Sequence, residues 1–176
     1  TVLDAISKIR DTSSSHDRNT VIEVMGRHCG DIALYSALAG GAECALTPEE
    51  EEDINKVCRK IIEGSNRGKL HSIIIKAEGT PTSAGQLTKM IEEKTGKETR
   101  LVVLSYLQRG GSPTFNDRML ATLCGAKAVQ LLAEESTSKA IGIADGHIMA
   151  YDLKEALEMP RNFNEQLYNL IDVLSK

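Results

Sequence analysis

The sequence predicts an α/β fold, in which a mostly parallel sheet with helices on both faces forms a three-layer, Rossmann-like arrangement. Short β-branched apolar runs, such as residues 21–25 and 70–78, alternate with longer segments whose apolar residues have helical spacing. The turns between them are short and contain glycine, as at residues 26–30. Strands that alternate with helices through such turns form parallel sheets that are covered on both faces.

The individual elements can be assigned in order along the chain. The helical spacing of Val2, Ile6 and Ile9 begins directly after Thr1, so we expect the sequence to be a fragment of a longer protein. The predicted strands are residues 21–25, 42–46, 70–78, 100–107 and 139–144. The predicted helices are residues 2–10, 31–39, 49–62, 87–96, 116–135, 152–159 and 162–174, with a polar loop at 11–19 and a turn at 144–147.

The composition excludes several classes of function. Of the 176 residues, 41% are apolar and 26% charged, and the net charge of −4 with scattered basic residues does not indicate nucleic-acid binding. No apolar run is long enough to cross a bilayer, so we expect a cytoplasmic protein without a membrane partner. Cys29, Cys44, Cys58 and Cys124 lack C-x-x-C spacing and predict buried, reduced thiols, while isolated histidines disfavour a structural metal site.

Charged side chains follow three of the predicted strands. Arg27 lies in the turn after the first strand, Glu78 ends the strand at 70–78, and Arg109 follows the strand at 100–107. The carboxyl ends of parallel strands meet at one edge of the sheet, where ligands of such folds bind. Taken alone, the turn with Arg27 is equally consistent with a solvated arginine. A similar glycine-containing turn with Arg109 follows another strand, and this recurrence favours a ligand site. Two arginines and a carboxylate suit a phosphorylated, hydroxylated ligand such as a sugar phosphate.

Three motifs carry a resemblance to a known family. Residues 25–31 (MGRHCGD), 77–79 (AEG) and 107–114 (LQRGGSPT) resemble, in order and spacing, the ATP-dependent 6-phosphofructokinases of bacterial type. The similarity runs along the whole chain but is to the C-terminal, substrate-binding part of that enzyme. The glycine-rich ATP loop and the Thr-x-Asp-x-Asp element with the catalytic base have no counterpart in this sequence. We therefore expect the 176-residue chain to be inactive by itself.

The resemblance implies a reaction, its partners and a division of the chain. The reaction is phosphoryl transfer from ATP to fructose 6-phosphate, giving fructose 1,6-bisphosphate in glycolysis, with Mg²⁺ as cofactor, ADP or phosphoenolpyruvate as effectors, and a cytoplasmic homotetramer as the assembly. Residues 1–112 would form the fructose-6-phosphate-binding half. Residues 113–150 would pack on the protein's own N-terminal nucleotide half, and residues 151–176 would return to the substrate half as helices.

The resemblance also implies roles for individual residues. Arg27 would stabilise the transferred phosphoryl group, Glu78 would bind fructose hydroxyls, and Arg109 would hold the existing phosphate. Arg18 and Arg100 would reach that phosphate from a neighbouring subunit. The full implied substrate set is Arg18, Met25, Gly26, Arg27, Glu78, Arg100, Tyr106, Leu107, Gln108 and Arg109. At position 106 the family usually has histidine, and a tyrosine there can donate to phosphate but cannot become cationic.

A second implied set is the family's effector site. It comprises Arg10, Gly41, Ala42, Glu43, Arg67, Lys69, Leu70 and His71, with Gly41 and Glu43 as a possible Mg²⁺ site. From the residues alone, Arg67 and Lys69 indicate a solvated turn and Glu43 a carboxylate at a strand end.

Other functions stay open at this point. A module that senses sugar phosphates without chemistry would need neither an ATP loop nor a base. A pyrophosphate-dependent phosphofructokinase would differ in residues outside this sequence. Ser112 and Cys29 have no recognisable base partner, which disfavours either of them as a nucleophile.

Overall fold

The structure is a computed structural model that describes residues 1–13, 17–136 and 138–175. The helices are α1 (Val2–Ser13), α2 (Asp31–Gly40), α3 (Ile54–Asn66), α4 (Ala84–Thr95), α5 (Phe115–Ala133), α6 (Leu153–Glu158) and α7 (Glu165–Leu174), with a short 3-10 helix at Ser105–Arg109. The strands are β1 (Asn19–Val24), β2 (Cys44–Leu46), β3 (Ser72–Ala77), β4 (Thr99–Val103), β5 (Lys139–Ala144) and β6 (His147–Asp152).

The chain forms two units. The first contains Thr1–Gly111 and Phe163–Lys176, and the second contains Ser112–Asn162. Helix α6 therefore belongs to the second unit, whereas the sequence-based division placed it with α7 in the segment that starts at residue 151. Every residue of the two predicted binding sites lies in the first unit.

A four-stranded parallel sheet forms the centre of the first unit. Its strand order is β2-β3-β1-β4, so β1 lies between β3 and β4. Val24 is aligned with Ala77, and Glu23 is aligned with both Lys76 and Val103. The last residues of these three strands thus meet at one edge of the sheet, and the predicted α/β fold with a parallel sheet is confirmed.

Helices cover both faces of this sheet. On one face, Ile22 and Ile75 pack against Ile6 of α1, Leu34 of α2 and Ile171 of α7. The other face packs against α3 and α4 through a second buried cluster, whose members are Val21, Cys44, Leu46, Val57, Cys58, Ile61, Ile74, Leu87 and Ile91. Burial of each large aliphatic side chain contributes roughly 1.5–3 kcal/mol, so the two clusters fix the sheet between its helices.

The strand predicted at residues 100–107 is too long. β4 ends at Val103, and Leu104 turns into the core, where only 4% of its surface is exposed. Its N–H donates to the Glu23 carbonyl at 3.0 Å. The chain then reverses through Ser105, whose φ is 40°, into the 3-10 helix. Leu104 therefore anchors the turn after β4 and is not part of the strand.

The helix predicted from residue 49 begins later, at Ile54. Asp53 is its N-cap, and the carboxylate accepts from the Lys56 N–H at 3.0 Å. Two carboxylates of the preceding acidic run instead bind backbone groups elsewhere: Glu49 accepts from the Gly30 N–H at 2.8 Å, and Glu52 accepts from the Thr82 N–H at 3.0 Å. The acidic run thus holds neighbouring loops, in place of the first helical turn that was predicted.

The cysteines agree only in part with the prediction of buried thiols. All four are free; Cys44 and Cys58 are buried, whereas Cys29 and Cys124 are half-buried. Burial raises the pKa of the Cys44 thiol to about 12, because the apolar surroundings disfavour its thiolate.

The second unit consists of α5, the β5–β6 hairpin and α6. Thr114 caps α5 through a capping box with Asp117. The predicted turn is present, with positive φ at Asp145 and Gly146, but it joins β5 to an antiparallel strand, β6, that was not predicted. None of the described residues in this unit, 112–136 and 138–162, is buried. None of the chain's helices, as far as the structure describes them, could span a membrane.

Helix α7 is tied to α3 by charged side chains. The Asp172 carboxylate lies 2.8 Å from the Lys56 ammonium and also forms an ion pair with Lys60. Burial of the carboxylate opposes its ionisation, but the hydrogen bonds from the two lysines outweigh this effect and lower the pKa of Asp172.

Replacing Asp172 by asparagine should lower the free energy of unfolding of the full-length protein by about 1 kcal/mol at pH 7, a modest loss because the pair is partly exposed. The pKa of Asp172 is lower in the folded protein than in the unfolded chain, where it is near 4, so the ionised carboxylate stabilises the fold above about pH 4. This stabilisation is lost as the pH falls through the pKa of the folded protein. Denaturant unfolding at pH 7 and pH 3 should therefore give a smaller difference at pH 3. Asp4→Asn, which removes the exposed Asp4–Lys8 pair, is the control, and an equal loss there would contradict the assignment.

Candidate active site and effector site

The turn between β1 and α2 is built around close backbone packing. Gly26 has a φ of 141°, a conformation that favours glycine, and a Cβ placed on it would lie 2.5 Å from the Cys29 carbonyl oxygen. Gly30 ends the turn, and its carbonyl accepts from the Leu34 N–H at 2.8 Å in the first turn of α2. The turn exposes the Arg27 side chain, which makes no ion pair or hydrogen bond with any residue that the structure describes.

The end of β3 packs directly on this turn. The Glu78 N–H donates to the Val24 carbonyl at 2.9 Å, and the Gly79 N–H donates to the Gly26 carbonyl at 3.1 Å. A Cβ on Gly79 would lie 2.0 Å from the Arg27 carbonyl oxygen, so no larger residue fits here. The exposed Glu78 carboxylate is 3.5 Å from the Gly26 N–H and thus lies beside the arginine turn.

The 3-10 helix after β4 forms the third side of the candidate substrate site, beside the turn after β1 and the end of β3. The Gln108 side-chain oxygen accepts from the Met25 N–H at 2.8 Å and joins this helix to the end of β1. The Arg109 guanidinium lies over the Tyr106 ring, with its central carbon 5.5 Å from the ring centroid. Leu107 is 70% exposed at the same turn. Of the residues predicted to bind substrate, Gln108 is therefore engaged with the backbone, and Tyr106 with a neighbouring arginine.

The structure separates the predicted substrate residues into two groups. Arg27, Glu78 and Arg109 follow adjacent strands and lie at the carboxyl edge of the sheet, together with Met25, Gly26 and residues 106–108. Arg18 precedes β1, and Arg100, aligned with Thr20, lies near the start of β4, roughly 16 Å away along the strands. Within one chain, Arg18 and Arg100 therefore do not converge with the other residues.

The two arginines at the amino edge differ in their surroundings. Arg100 is exposed and pairs with Glu98. The Nε atom of Arg18 is buried and has no hydrogen-bond partner among the described residues.

Most of the predicted effector residues surround one cavity of about 240 Å³. Its lining consists of Arg10, Gly41, Glu43, Lys69, Leu70, His71 and Ile73. The Arg10 guanidinium donates to the Gly41 carbonyl at 3.1 Å, which ties the end of α1 to the C-cap of α2. Arg67 is exposed at the C-cap of α3, and neither it nor the buried Ala42 lines this cavity.

Glu43 is the acidic member of this cavity and is largely buried. Its carboxylate accepts from the Ile73 N–H at 2.5 Å and lies 3.8 Å from the Lys69 ammonium. Burial raises the pKa of Glu43, although this hydrogen bond and the lysine favour the charged form. With Arg10, Lys69 and His71 facing a single carboxylate, the cavity suits an anionic ligand.

The predicted Mg²⁺ ligands, Gly41 and Glu43, both line this cavity. No group of three or more His, Cys, Asp or Glu side chains that could hold a metal ion occurs in the described part of the chain. Mg²⁺ requires about six oxygen ligands, and only one carboxylate is available here beside three basic groups.

An ion pair that was not predicted from the sequence, between buried Lys76 and half-buried Glu23, lies below the carboxyl edge. The Lys76 ammonium, 1% exposed, lies 3.3 Å from the Glu23 carboxylate and donates to the Ala77 carbonyl at 2.9 Å. The signal was present, because Lys76 interrupts the apolar run of β3 and Glu23 interrupts that of β1. Two opposite charges at matching positions of adjacent strands indicate a cross-strand pair.

Comparison with known proteins identifies the family. The family model described as phosphofructokinase matches residues 1–132. The chain belongs to the phosphofructokinase family. Its first 132 residues include both predicted sites, so the edge formed by Arg27, Glu78 and Arg109 and the cavity around Glu43 are features of a phosphofructokinase chain.

Relatives of known name give the same result. The chain is 56% identical over its full length to the ATP-dependent 6-phosphofructokinase of Clostridium acetobutylicum, and covers 55% of that protein. It is 57% identical over 99% of its length to the enzyme of the same name from Alkaliphilus metalliredigens, and covers 54% of it. This phosphofructokinase chain thus spans about half the length of the curated relatives that it matches.

A solved structure has the same fold. The phosphofructokinase of Saccharomyces cerevisiae is 30% identical to the chain, with a TM-score of 0.84 over 98% of this chain and 24% of that one.

Proposed function

We propose that the chain is the substrate-binding part of an ATP-dependent 6-phosphofructokinase, which transfers a phosphoryl group from ATP to fructose 6-phosphate in glycolysis. The observation that carries the proposal is the meeting of Arg27, Glu78 and Arg109 at one sheet edge, where Gly26 and Gly79 allow the turn after β1 to pack closely on the end of β3. ATP would supply the phosphoryl group, and Mg²⁺, when bound, would neutralise part of the charge of the ATP phosphates. The residues of this chain bind and orient the sugar phosphate and stabilise the charge on the transferred phosphoryl group.

The roles of the three residues follow from their chemistry. The Glu78 carboxylate accepts hydrogen bonds from sugar hydroxyls and so orients the ring. The planar guanidinium of Arg109 binds the phosphate that is already on the sugar. Arg27, exposed and without a partner among the described residues, stabilises the negative charge on the phosphoryl group during transfer. The family's catalytic base has no counterpart in this sequence, so no step of proton transfer is assigned to the chain.

The separated arginines fit an assembly of several copies. Arg18 and Arg100 lie at the opposite edge from Arg109, so they would complete a phosphate site only on another subunit. We propose that the protein is a homotetramer located in the cytoplasm, in which a neighbouring subunit brings these arginines to the site. The cavity of Arg10, Lys69 and His71 would bind an anionic effector, ADP or phosphoenolpyruvate. Any Mg²⁺ near Glu43 would need phosphate oxygens of that effector as further ligands.

A coupled assay of the full-length protein tests the proposal. We expect turnover that depends on fructose 6-phosphate and ATP, and a Glu78→Gln variant with a KM for the sugar raised at least tenfold. Activity with pyrophosphate in place of ATP would contradict the choice of donor. Sugar binding without turnover under either donor would instead indicate a sensing module.

The second unit offers a separate test of how the chain fits the longer protein. Leu123 of α5 is 47% exposed and Met119 is 42% exposed, and the relatives are nearly twice as long as this chain. We propose that the rest of the full-length protein covers this surface. Leu123→Asp should then lower the free energy of unfolding of the full-length protein by more than the roughly 1.5–3 kcal/mol that a buried leucine contributes. The loss is larger because the new aspartate would also be buried as a charge. Thr122→Asp, one position away on the helix, is the control, and equal stability of the two variants by thermal unfolding would contradict the proposal.

A further inference from the structure

The 3-10 helix that carries Arg109 is held in an unusual conformation. Leu104 anchors its start in the core, and Gln108 anchors its end on the Met25 N–H at 2.8 Å. Between the anchors, Ser105 has a φ of 40°, a value that residues with side chains rarely adopt. A conformation of this kind persists only where the surrounding contacts impose it, and such sites cluster where geometry matters for function. The turn is therefore a fixed platform for the side chains it presents.

Tyr106 is exposed on this turn, so burial does not explain its presence. Its side chain is 78% exposed, and the Arg109 guanidinium lies over the ring with its central carbon 5.5 Å from the centroid. This distance is within the range of a cation–π interaction. Among the described residues, Arg109 has no ion pair or side-chain hydrogen bond, and its guanidinium lies against the Tyr106 ring.

We propose that Tyr106 is a positioning residue, whose ring face holds the Arg109 guanidinium ready for the phosphate of the substrate. The inference rests on the proposed function. A guanidinium held over a ring face, without ion pairs to other side chains, has N–H groups available for paired hydrogen bonds to phosphate oxygens. Ordering Arg109 before the sugar arrives lowers the entropy cost of binding, so the effect belongs to substrate affinity. In this arrangement the ring, and not the hydroxyl, positions Arg109.

Three variants of the full-length protein separate ring from hydroxyl. Tyr106→Phe keeps the ring and removes only the hydroxyl, so it should raise the KM for fructose 6-phosphate much less than Tyr106→Leu does. Tyr106→Leu removes the ring and should raise that KM about threefold with kcat unchanged, because exposed cation–π contacts are weak. Tyr35→Leu, at an exposed tyrosine of α2 outside the site, is the matched control and should change neither constant.

A double-mutant cycle with Arg109 decides whether Tyr106 acts through it. In an Arg109→Gln background, Tyr106→Leu should produce no further rise in KM, because the cation it positions is gone. The inference is overturned if Phe and Leu raise KM equally, if Leu has no effect, or if the Leu effect persists without Arg109. If the wild type shows no dependence on fructose 6-phosphate at all, the proposed function fails, and this inference fails with it.

Discussion

Replacing Arg27 by alanine in the full-length protein should lower kcat about a hundredfold or more and leave the KM for fructose 6-phosphate nearly unchanged. Arg27 is exposed at the carboxyl edge, and its side chain forms no ion pair or hydrogen bond with the described residues. A contact made only to charge that develops during transfer acts on kcat, and its loss costs roughly 3 kcal/mol. Initial-rate kinetics at saturating ATP with varied sugar give both constants.

Arg100→Ala is the matched comparison. Arg100 lies at the other edge of the sheet and is proposed to hold a phosphate that does not react, so its removal should chiefly raise KM. If the two profiles are exchanged, the roles assigned to the two arginines are reversed.

Replacing Gly79 by alanine should cost about 3 kcal/mol or more of stability and disrupt the site. The added methyl would lie 2.0 Å from the Arg27 carbonyl oxygen and 2.8 Å from that of Gly26. Both obstacles are backbone atoms, so the turn itself must move, and overpacking of this kind typically costs 1–3 kcal/mol or more. Because the displaced turn carries Arg27, both kcat and KM should worsen.

Gly85→Ala is the control for this prediction. Gly85 lies in α4, and a Cβ there meets nothing within 4 Å. An alanine in a helix is favoured over glycine by up to about 1 kcal/mol, so this variant should be as stable as wild type or more so. Thermal unfolding of both variants checks the pair, and a Gly79→Ala protein with the stability and kinetics of wild type would contradict the packing described for the turn.

The sequence was sufficient for the fold of the first unit because its signals are local and repeated. Apolar runs mark β1 and β3, and glycines mark the turns after β1 and α2. The same signals placed Arg27, Glu78 and Arg109 after three strands, and parallel pairing then brings strand ends together without further information. The elements that position these residues follow from pattern alone.

Other features depend on contacts that a linear pattern does not carry. Leu104 reads as one more strand residue, yet it turns into the core and starts the 3-10 helix. Glu49 reads as part of a helical first turn, yet it binds the Gly30 N–H across 19 positions of sequence. The contact of Arg109 with Tyr106 depends on the 3-10 helix, in which side chains three positions apart lie one above the other, and a strand predicted over residues 100–107 does not bring them together. For Leu104 and Glu49, a tertiary contact overrides the local preference.

The most direct test of the account is a crystal structure of the full-length protein with fructose 6-phosphate bound. We expect the sugar at the carboxyl edge of the β3-β1-β4 sheet, with its hydroxyls on the Glu78 carboxylate and its phosphate on the Arg109 guanidinium. Arg27 should face the hydroxyl that receives the phosphoryl group, and Arg18 and Arg100 should approach the phosphate from a neighbouring subunit. A sugar bound elsewhere, or bound at this edge without contact to Glu78 and Arg109, would contradict the central claim.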